Sequence, residues 1–334
     1  DMVTELIKTK KLKWGIVGLG RFTEHSFLPA IKSVRKSTVT SLCSRDFNRA
    51  KELAEKFGVP NYFNNYDEFL KSDIDVVYVA SANAFHHEQV IKAANSGKHI
   101  FCEKPLALNS KQAEEMIEAA KRNNVLFAVN YVHHFHPLVL KAKELLKDQR
   151  LGKLVSVHVN FNIDFPPDNN FRFKKELSGG GALRDIGTHM IDLLRFFGGE
   201  IIEIDGVVDN LIYQSEVDDF ASSIVKFEKG GYGYFNVSYN TKKAFNRIDI
   251  LCHKGAIEIE NLIGRKLIGP KLSIMFEGEA RKSFRRRGNK MVYVLKSVQR
   301  SFLRNEKPLV TGEDGLINMK IMEELEQKCQ LKKK

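Results

Sequence analysis

The chain has few cysteines and no long apolar run, and these two absences narrow the classes of protein to which it can belong. The four cysteines, Cys43, Cys102, Cys252 and Cys329, lie far apart, so they form neither a disulfide framework nor a paired metal-ligand spacing. Such usage is typical of buried free thiols in a reducing interior. No apolar run reaches the roughly 18 residues that a membrane-spanning helix needs. Residues 1–13 are polar and lysine-rich and lack the apolar core of a signal peptide. We therefore predict a cytoplasmic protein without a membrane partner.

Basic side chains outnumber acidic ones by 53 to 41, which gives the chain a formal charge of +12. The densest basic cluster consists of Arg281, Lys282, Arg285, Arg286 and Arg287. Such a cluster can bind nucleic acid or a phosphorylated substrate, or it can be a solvated loop. Because no nucleic-acid-binding module of recognisable spacing surrounds it, we interpret it as a solvated or flexible loop and predict no nucleic-acid partner. Salt-sensitive retention on DNA or RNA would test the alternative.

The length of 334 residues exceeds what one hydrophobic core usually supports. Up to about residue 130, short apolar runs alternate with helical stretches, which indicates a parallel sheet wound with helices. Beyond that point most strand-like runs are joined by short turns, and several alternate apolar and polar residues, as in an antiparallel sheet with one covered face. We predict a doubly wound α/β domain over residues 1–130 and an α+β domain with an open, mostly antiparallel sheet over residues 131–310. A C-terminal helix with a lysine-rich tail completes the chain over residues 311–334.

The first predicted strand runs into a turn that contains Gly18 and Gly20. Gly18 permits a tight turn, and Gly20 lets the backbone approach a pyrophosphate at the N-terminus of the next helix. Thr23 stands where the usual fingerprint has a third glycine, so the motif is incomplete. Because the turn follows a strand within a βαβ unit, we interpret it as a cofactor-binding turn, with Arg21 and Phe22 as further contacts, rather than as a structural turn.

The second predicted strand ends in Ser44 and Arg45, with Asp46 one residue later and Arg49 beyond. An acidic residue at this place would bind the 2′-hydroxyl of NAD. A hydroxyl and guanidinium groups suit the 2′-phosphate of NADP instead. Alternatively, Ser44 caps the next helix and Arg45 is solvated. The pattern favours NADP, with Ser44, Arg45 and Arg49 as contacts, and Asp46 keeps NAD as the alternative.

Two further segments indicate catalysis. Glu103-Lys104-Pro105 follows the fifth predicted strand, at the sheet edge where open α/β folds bind ligands. Lys104 can stabilise charge on a substrate oxygen there, and Glu103 can hold the ammonium group of Lys104.

In the second segment, three glycines offer close approach to a ligand and lead into a helix on which Asp185 and His189 share one face. His189 titrates nearest neutrality and is the better proton donor or acceptor. The alternatives are a surface lysine and an exposed Asp–His pair.

The order and spacing of these motifs resemble the Gfo/Idh/MocA family, which includes glucose–fructose oxidoreductase and inositol dehydrogenase. The resemblance rests on Gly18-Leu-Gly20, on Glu103-Lys104-Pro105 and on the glycine run that leads to Asp185 and His189, and it extends to Val310. It implies an N-terminal Rossmann domain and a C-terminal domain with an open-faced sheet that often mediates oligomerisation, so we expect a homodimer or homotetramer. It also implies hydride transfer between NADP or NAD and a secondary alcohol or ketone carbon of a sugar, an activated sugar or a cyclic polyol.

The resemblance further implies roles for single residues. Lys104 would contact the substrate hydroxyl and the nicotinamide ribose, together with the neighbouring Glu103. His189 would be the general acid and base, and Asp185 would position the reacting hydroxyl. Arg172 resembles a residue near the substrate pocket, and the alternative is a structural role.

The segment after the fourth predicted strand is similar to the family's cofactor-bordering turn, with Ala82 in place of a proline. Ala80, Asn83 and His86 would border the nicotinamide. Alternatively, Asn83 caps the helix that follows.

A departure from the family pattern is the run that contains Tyr131, His133, His134 and His136, where relatives often carry arginine. Three histidines invite a metal interpretation, but two are adjacent and no carboxylate sits beside them. We predict no metal and take Tyr131 and His133 as substrate contacts, with plain packing as the alternative.

A non-catalytic NADP(H)-binding sensor of the same fold is the competing function, and the combination of Lys104 with an acid and a base speaks against it.

Overall fold

The computed structural model describes residues 10–263 and 269–332, which form two compact units. The first unit contains the chain up to Asn130 together with Asn289–Leu316, and the second contains Tyr131–Gly288 together with the residues from Ile317 onward. The predictions for residues 1–9 and for the last two lysines lie outside the described residues. Within the described ranges, we find no helix whose length and apolar character would allow it to cross a membrane.

The first unit is built on a six-stranded parallel sheet in the order β3-β2-β1-β4-β5-β6. Its strands are β1 (Leu12–Val17), β2 (Ser37–Cys43), β3 (Asn61–Phe63), β4 (Val76–Val79), β5 (His99–Cys102) and β6 (Phe127–Val129). β4 is buried along its whole length, as expected for an apolar strand covered on both faces. The order is that of dinucleotide-binding folds, and it reverses between β1 and β4, where the carboxyl ends of the strands open a crevice.

Helices follow the strands of this sheet. They are a π-helical turn (Thr23–Phe27) that continues into α1 (Leu28–Ile31), then α2 (Phe47–Phe57), α3 (Tyr66–Leu70), α4 (Asn83–Asn95) and α5 (Ser110–Arg122). The α5 cap is Asn109, whose side chain accepts a hydrogen bond from the amide of Gln112, so Ser110 is the first helical residue and not the cap. Phe27 stacks on Tyr78 with 4.0 Å between ring centroids, which ties the first helix to the core of the sheet.

The second unit contains an eight-stranded sheet in the order β14-β13-β12-β11-β7-β10-β9-β8, in which only β7 and β10 pair in parallel. Its strands are β7 (Leu154–Asp164), β8 (Ile201–Asp209), β9 (Phe220–Phe227), β10 (Tyr232–Ser238), β11 (Asn240–Cys252), β12 (Gly255–Glu260), β13 (Lys271–Phe276) and β14 (Lys282–Arg285). Its helices are α6 (Pro137–Leu145), α7 (Lys175–Ser178) and α8 (Thr188–Gly198). The burial pattern alternates along β10, so one face of the sheet packs inward and the other stays open. The predicted fold class is confirmed.

The basic cluster differs from its prediction. Lys282–Arg285 form β14, an edge strand that pairs with β13, and all four of its side chains are exposed. Arg281 pairs with Glu258, and Lys282 contacts Glu279 at 3.3 Å. The middle of the cluster is therefore an extended strand, because backbone pairing determines its structure. Arg281, Arg286 and Arg287 lie outside the strand, and the side chains of the whole cluster are exposed, as expected for a solvated segment.

The chain then returns to the first unit through α9 (Lys290–Arg304), whose buried face contains Met291, Val294, Leu295, Val298 and Phe302. The hydroxyl of Ser37 donates to Gln299 at 2.8 Å, and the Phe302 ring lies 5.1 Å from that of His99. The predicted domain over residues 131–310 differs from this division, because the apolar face of α9 is covered by residues of the first unit. The last helix, α10, spans Gly312–Lys332.

Candidate active site

The glycine turn lies at the carboxyl end of β1, beside that of β4. Gly18 has a φ of +93°, and a Cβ atom there would lie 2.2 Å from the backbone nitrogen of Ser81, so only glycine fits. A Cβ atom at Gly20 would meet no atom of the described residues within 4 Å. The buried Thr23, which replaces the third glycine, donates its hydroxyl to the carbonyl of Gly18 at 2.8 Å. The turn is thus fixed internally at Gly18 and Thr23 and open at Gly20.

Three other predicted cofactor residues border this turn. Arg21 and Phe22 form the start of the helix that follows it, and both are exposed, Phe22 by 42%. Ala80 follows β4, and its amide donates to the carbonyl of Val17 at 2.8 Å. All three therefore lie at the sheet edge where the strand order reverses.

The residues predicted to contact the adenosine ribose lie between β2 and α2. The guanidinium of Arg45 lies over the Phe85 ring, 4.7 Å from its centroid. Asp46 is the cap of α2, since its carboxylate accepts a hydrogen bond from the amide of Arg49 at 3.2 Å. The hydroxyl of Ser44 accepts from the amide of Asp46 at 3.2 Å. The capping role that the alternative interpretation gave to Ser44 therefore belongs to Asp46.

Arg49 differs from Arg45 because its guanidinium is already paired within the chain. Its Nη2 atom lies 2.6 Å from Glu24, and its Nε atom donates to the carbonyl of Leu19 in the glycine turn at 3.1 Å. Lys56 contacts the other oxygen of Glu24 at 2.6 Å. Hydrogen bonds from Lys56 and Arg49 lower the pKa of Glu24 to about 2. Arg49 thus links Glu24 to the glycine turn, and its predicted contact with a 2′-phosphate stays a prediction.

Asn83 and His86 lie in α4, and both are buried. Asn83 is the first helical residue, and the residue before it occupies the cap position. The Nδ1 atom of His86 lies 3.1 Å from the carbonyl oxygen of Pro105, and its Nε2 atom lies 2.9 Å from that of Ser81. Burial lowers the pKa of His86, and the positive charge of Lys104 contributes in the same direction. His86 therefore joins two loops at the sheet edge, and its predicted place beside the nicotinamide stays a prediction.

Lys104 directly follows β5, and the Lys104–Pro105 peptide bond is cis. The carboxylate of Glu103 accepts hydrogen bonds from the hydroxyl of Tyr78 at 2.5 Å and from the side-chain amide of Asn130 at 2.6 Å. Burial raises the pKa of Tyr78 well above its usual range, so this phenol remains a donor. Sequence reasoning missed Tyr78 and Asn130, because a tyrosine inside an apolar strand has the same pattern as core packing.

Asp185 lies in a π-helical turn, Leu183–Gly187, that leads into α8. One carboxylate oxygen accepts a hydrogen bond from Nε of Arg172 at 3.2 Å. The other accepts one from the hydroxyl of Tyr239 at 2.6 Å. Arg172 was predicted near the pocket, whereas Tyr239 was not predicted at all. A single tyrosine at the end of a strand carries no motif that could have identified it.

His189 is the second residue of α8 and is 7% exposed. The His133 ring lies 4.5 Å from it, and the Tyr131 ring meets it edge-on at 5.8 Å. The hydroxyl of Tyr131 is hydrogen-bonded to that of Thr188 at 2.8 Å. Tyr131 is 1% exposed and packs against the imidazole, which agrees with the packing alternative, and its contact with a substrate stays a prediction. His133 remains adjacent to the predicted acid–base group.

The glycine run before Asp185 serves the packing of the chain. Gly179 has a φ of +81°, and a Cβ atom at Gly181 would lie 1.9 Å from the carbonyl oxygen of Asp218. The Asp218 carboxylate accepts hydrogen bonds from the amides of Gly181 and Leu183, each at 2.8 Å. Burial raises the pKa of Asp218, and these amides oppose the shift. At Gly181 the missing side chain makes room for Asp218, and the close approach of a ligand to the glycine run stays a prediction.

The three histidines after Asn130 have different environments. Nδ1 of His134 lies 3.0 Å from the Asp192 carboxylate, and Nδ1 of His136 accepts from the amide of Leu138 at 3.1 Å and so caps α6. His133 packs on His189, as described above. In the parts of the chain that the structure describes, no group of three or more His, Cys, Asp or Glu side chains could hold a metal ion.

Lys104 belongs to the first unit, whereas Asp185 and His189 belong to the second. Their predicted approach across a nicotinamide ring stays a prediction.

Family models match both units. A model described as an oxidoreductase family with an NAD-binding Rossmann fold matches residues 12–131, and a model of the Gfo/Idh/MocA C-terminal domain matches residues 139–258. Together they cover more than half of the chain. The chain therefore belongs to the Gfo/Idh/MocA oxidoreductase family.

Individual relatives agree with this membership. The chain is 33% identical to Oxidoreductase P35 of Formosa agariphila over 201 residues, which cover 58% of this chain and 63% of that protein. It is 26% identical to the 1,5-anhydro-D-fructose reductase of Ensifer adhaerens over 310 residues, 91% of this chain and 92% of that one. The crystal structure of aldose-aldose oxidoreductase from Caulobacter crescentus, complexed with glycerol, has a TM-score of 0.90 at 25% identity and covers 97% and 98% of the two chains. The similarity spans less than two thirds of Oxidoreductase P35 but nearly all of the other two proteins.

Proposed function

We propose that the chain transfers a hydride between NADP, or alternatively NAD, and a secondary alcohol or ketone carbon of a sugar, an activated sugar or a cyclic polyol. The observation that carries this proposal is the position of Lys104, which follows β5 on the same sheet edge as the glycine turn after β1. The names of the anhydrofructose reductase and the aldose-aldose oxidoreductase support a sugar as the substrate class.

The cofactor side of the proposal rests on two residues whose surroundings suit it. Internal packing does not require a glycine at position 20, since a Cβ atom there would meet no atom of the described residues within 4 Å. The missing side chain at Gly20 instead suits the close approach of a pyrophosphate at the helix N-terminus. Arg45 lies on an aromatic ring and presents a planar set of donors that matches a 2′-phosphate. When bound, the nicotinamide supplies or accepts the hydride.

Three side chains carry the remaining chemistry. The ammonium of Lys104 donates to the reacting oxygen and stabilises negative charge on it. The imidazole of His189 gives a proton to that oxygen when a ketone is reduced and takes the proton from it when an alcohol is oxidised. Asp185 accepts a hydrogen bond from a substrate hydroxyl and so orients the reacting carbon.

The test is a coupled screen. Absorbance at the reduced-nicotinamide band is followed with NADP and with NAD against a library of sugars and polyols. On the best substrate, Lys104→Met should lower turnover by roughly a hundred-fold or more while cofactor affinity stays normal. Lys111→Met, at an exposed lysine of the same unit, is the matched control. Near-normal turnover of Lys104→Met contradicts the assignment. Tight cofactor binding without turnover across the whole library favours a non-catalytic sensor.

We also propose that the protein is a homodimer or homotetramer. The open face of the second sheet exposes Ile224 by 41%, Tyr232 by 47% and Tyr234 by 40%, and neighbouring apolar exposure of this kind is typical of association surfaces. Sedimentation velocity measures the state directly, and a monomer at micromolar concentration contradicts this part of the proposal.

A further inference from the structure

The carboxylate of Asp185 is held on both of its oxygens by strong donors. Tyr239 donates its hydroxyl at 2.6 Å, and Arg172 donates Nε at 3.2 Å. Burial raises the pKa of Tyr239 well above its usual range, so the phenol keeps its proton. The Asp185 side chain is nevertheless 20% exposed, so part of the carboxylate stays accessible to a bound molecule.

The place of the Tyr239 hydroxyl is determined by the end of the sheet. The residue follows β10, its amide donates to the carbonyl of Asp219 at 2.8 Å, and its own carbonyl accepts from the amide of Phe165 at 2.6 Å. The centroid of its ring lies 5.2 Å from that of Phe165, to which the ring is perpendicular, and 5.9 Å from that of Phe173. The side chain is fully buried. A phenol held by both backbone groups and by two rings has little freedom to turn away from Asp185.

This arrangement restricts what Asp185 can do. A carboxylate accepts hydrogen bonds on both oxygens, and its open positions are acceptor positions. Asp185 can therefore receive the proton of a substrate hydroxyl in a hydrogen bond, along the directions that Tyr239 and Arg172 leave open. These two donors thus restrict the direction of this contact.

We propose that Tyr239 is a positioning residue for the reaction, which acts through its hydrogen bond to Asp185, with Arg172 holding the second oxygen. The inference rests on the proposed function, since it assigns Asp185 a substrate hydroxyl as a further partner. It adds that Asp185 acts as an oriented acceptor, so that the transferred proton moves through His189.

The first experiment compares two tyrosine variants on the best substrate of the screen. Tyr239→Phe should lower kcat by roughly ten- to a hundred-fold, the range expected for a hydrogen bond to a charged group, while affinity for the cofactor stays unchanged. Tyr213→Phe is the matched control, because the Tyr213 hydroxyl also donates to a carboxylate, that of Asp164, at an exposed position. Its kcat should equal that of the wild type. If Tyr239→Phe keeps kcat within about twofold of the wild type, the proposal is overturned.

A double-mutant cycle separates positioning from general destabilisation. In an Asp185→Asn background, Tyr239→Phe should cost little more, because the group through which it acts is already changed. Fully additive losses would overturn the proposal. Should Tyr239→Phe fail to fold, Arg172→Gln replaces it, since that side chain is 32% exposed and its loss is easier to accommodate. An unchanged kcat in Arg172→Gln would then refute the inference.

A spectroscopic measurement makes the outcome independent of turnover. The buried hydroxyl proton of Tyr239 should give a slowly exchanging, low-field proton resonance that is absent in Tyr239→Phe, shifted in Asp185→Asn and retained in Tyr213→Phe. If the wild type turns over nothing in the library, the proposed function fails while this resonance still tests the hydrogen bond. Absence of the resonance from the wild type refutes the inference on its own.

Discussion

The preference between NADP and NAD depends on which guanidinium is available to bind a 2′-phosphate. Arg45 and Arg49 both follow β2, yet only Arg49 is engaged by an acidic side chain of the described residues. Arg49 is bound to Glu24 and to the carbonyl of Leu19. We therefore expect Arg45→Ala to change the ratio of the two affinities and Arg49→Ala to leave that ratio unchanged.

The magnitude follows from the kind of contact. A hydrogen bond to a charged group contributes about 1.5–3 kcal/mol, and about 1.4 kcal/mol corresponds to a tenfold change in affinity. Arg45→Ala should therefore raise the dissociation constant of NADPH by roughly 10- to 150-fold and leave that of NADH almost unchanged. Arg49→Ala removes a support of the glycine turn, which we propose as the binding place of either cofactor, so both dissociation constants should rise by a similar factor.

Fluorescence titration of the wild type and of both variants with NADPH and NADH measures all six constants. The wild-type ratio gives the preference itself. An Arg45→Ala variant that weakens both cofactors equally would refute the assignment of Arg45 to the 2′-phosphate. A change of the ratio in Arg49→Ala would show that its pairing with Glu24 gives way to the cofactor.

Two other predictions concern the same turn. Gly20→Ala should change the free energy of unfolding by no more than about 1 kcal/mol yet weaken cofactor binding. Gly18→Ala should destabilise the fold by about 2 kcal/mol or more, because the cost of a left-handed φ and the cost of a backbone clash at 2.2 Å add up. Urea unfolding and cofactor titration measure both, and normal binding by Gly20→Ala contradicts the cofactor role. Lys56 and Arg49 lower the pKa of Glu24 from 4.5 to about 2, so its stabilisation is full above pH 4.5 and is lost as pH falls towards 2. In Glu24→Gln the midpoint of urea unfolding should depend less on pH between pH 4.5 and 2 than it does in the wild type. An unchanged pH dependence contradicts the pairing.

The parts of the fold that the sequence predicts well have local signals of their own. The apolar spacing of residues 47–57 predicts an amphipathic helix, and α2 has the same bounds, because this period lies between the cap Asp46 and the left-handed Gly58. The run over residues 220–227 predicts a strand, and it coincides with β9, whose buried residues alternate. In both elements, local backbone chemistry and the apolar pattern indicate the same structure.

The elements that were missed depend on partners elsewhere in the chain. β14 consists of four exposed residues, two of them basic, and only its pairing with β13 makes it a strand. α9 has a clear apolar face, but the sequence does not show that this face is buried in the first unit. Local patterns indicate that a surface needs covering, and they do not say which part of the chain covers it.

The candidate site likewise contains residues that a local motif identifies and residues that only a distant partner identifies. Lys104, Asp185 and His189 could be proposed because each lies in a motif with a fixed place in the chain. Tyr239 could not, since it meets Asp185 across 54 residues and carries no motif. Arg49 was recognised as a charge near the cofactor, but the sequence does not show its pairing with Glu24, 25 residues earlier.

Both predicted sites contain a π-helical turn, and the first explains the incomplete glycine motif. The usual third glycine allows the helix to pack closely on the strand. Here Thr23 begins a π-helical turn, Thr23–Phe27, and its buried hydroxyl donates to the carbonyl of Gly18. The wider turn accommodates a side chain where an α-helix would need glycine, and the hydroxyl binds the chain back to the turn that the glycine usually serves. The second π-helical turn, Leu183–Gly187, carries Asp185. Such turns are frequent at functional sites and depart from the α-helical period, so neither of them could be predicted from a glycine fingerprint or from a helical wheel.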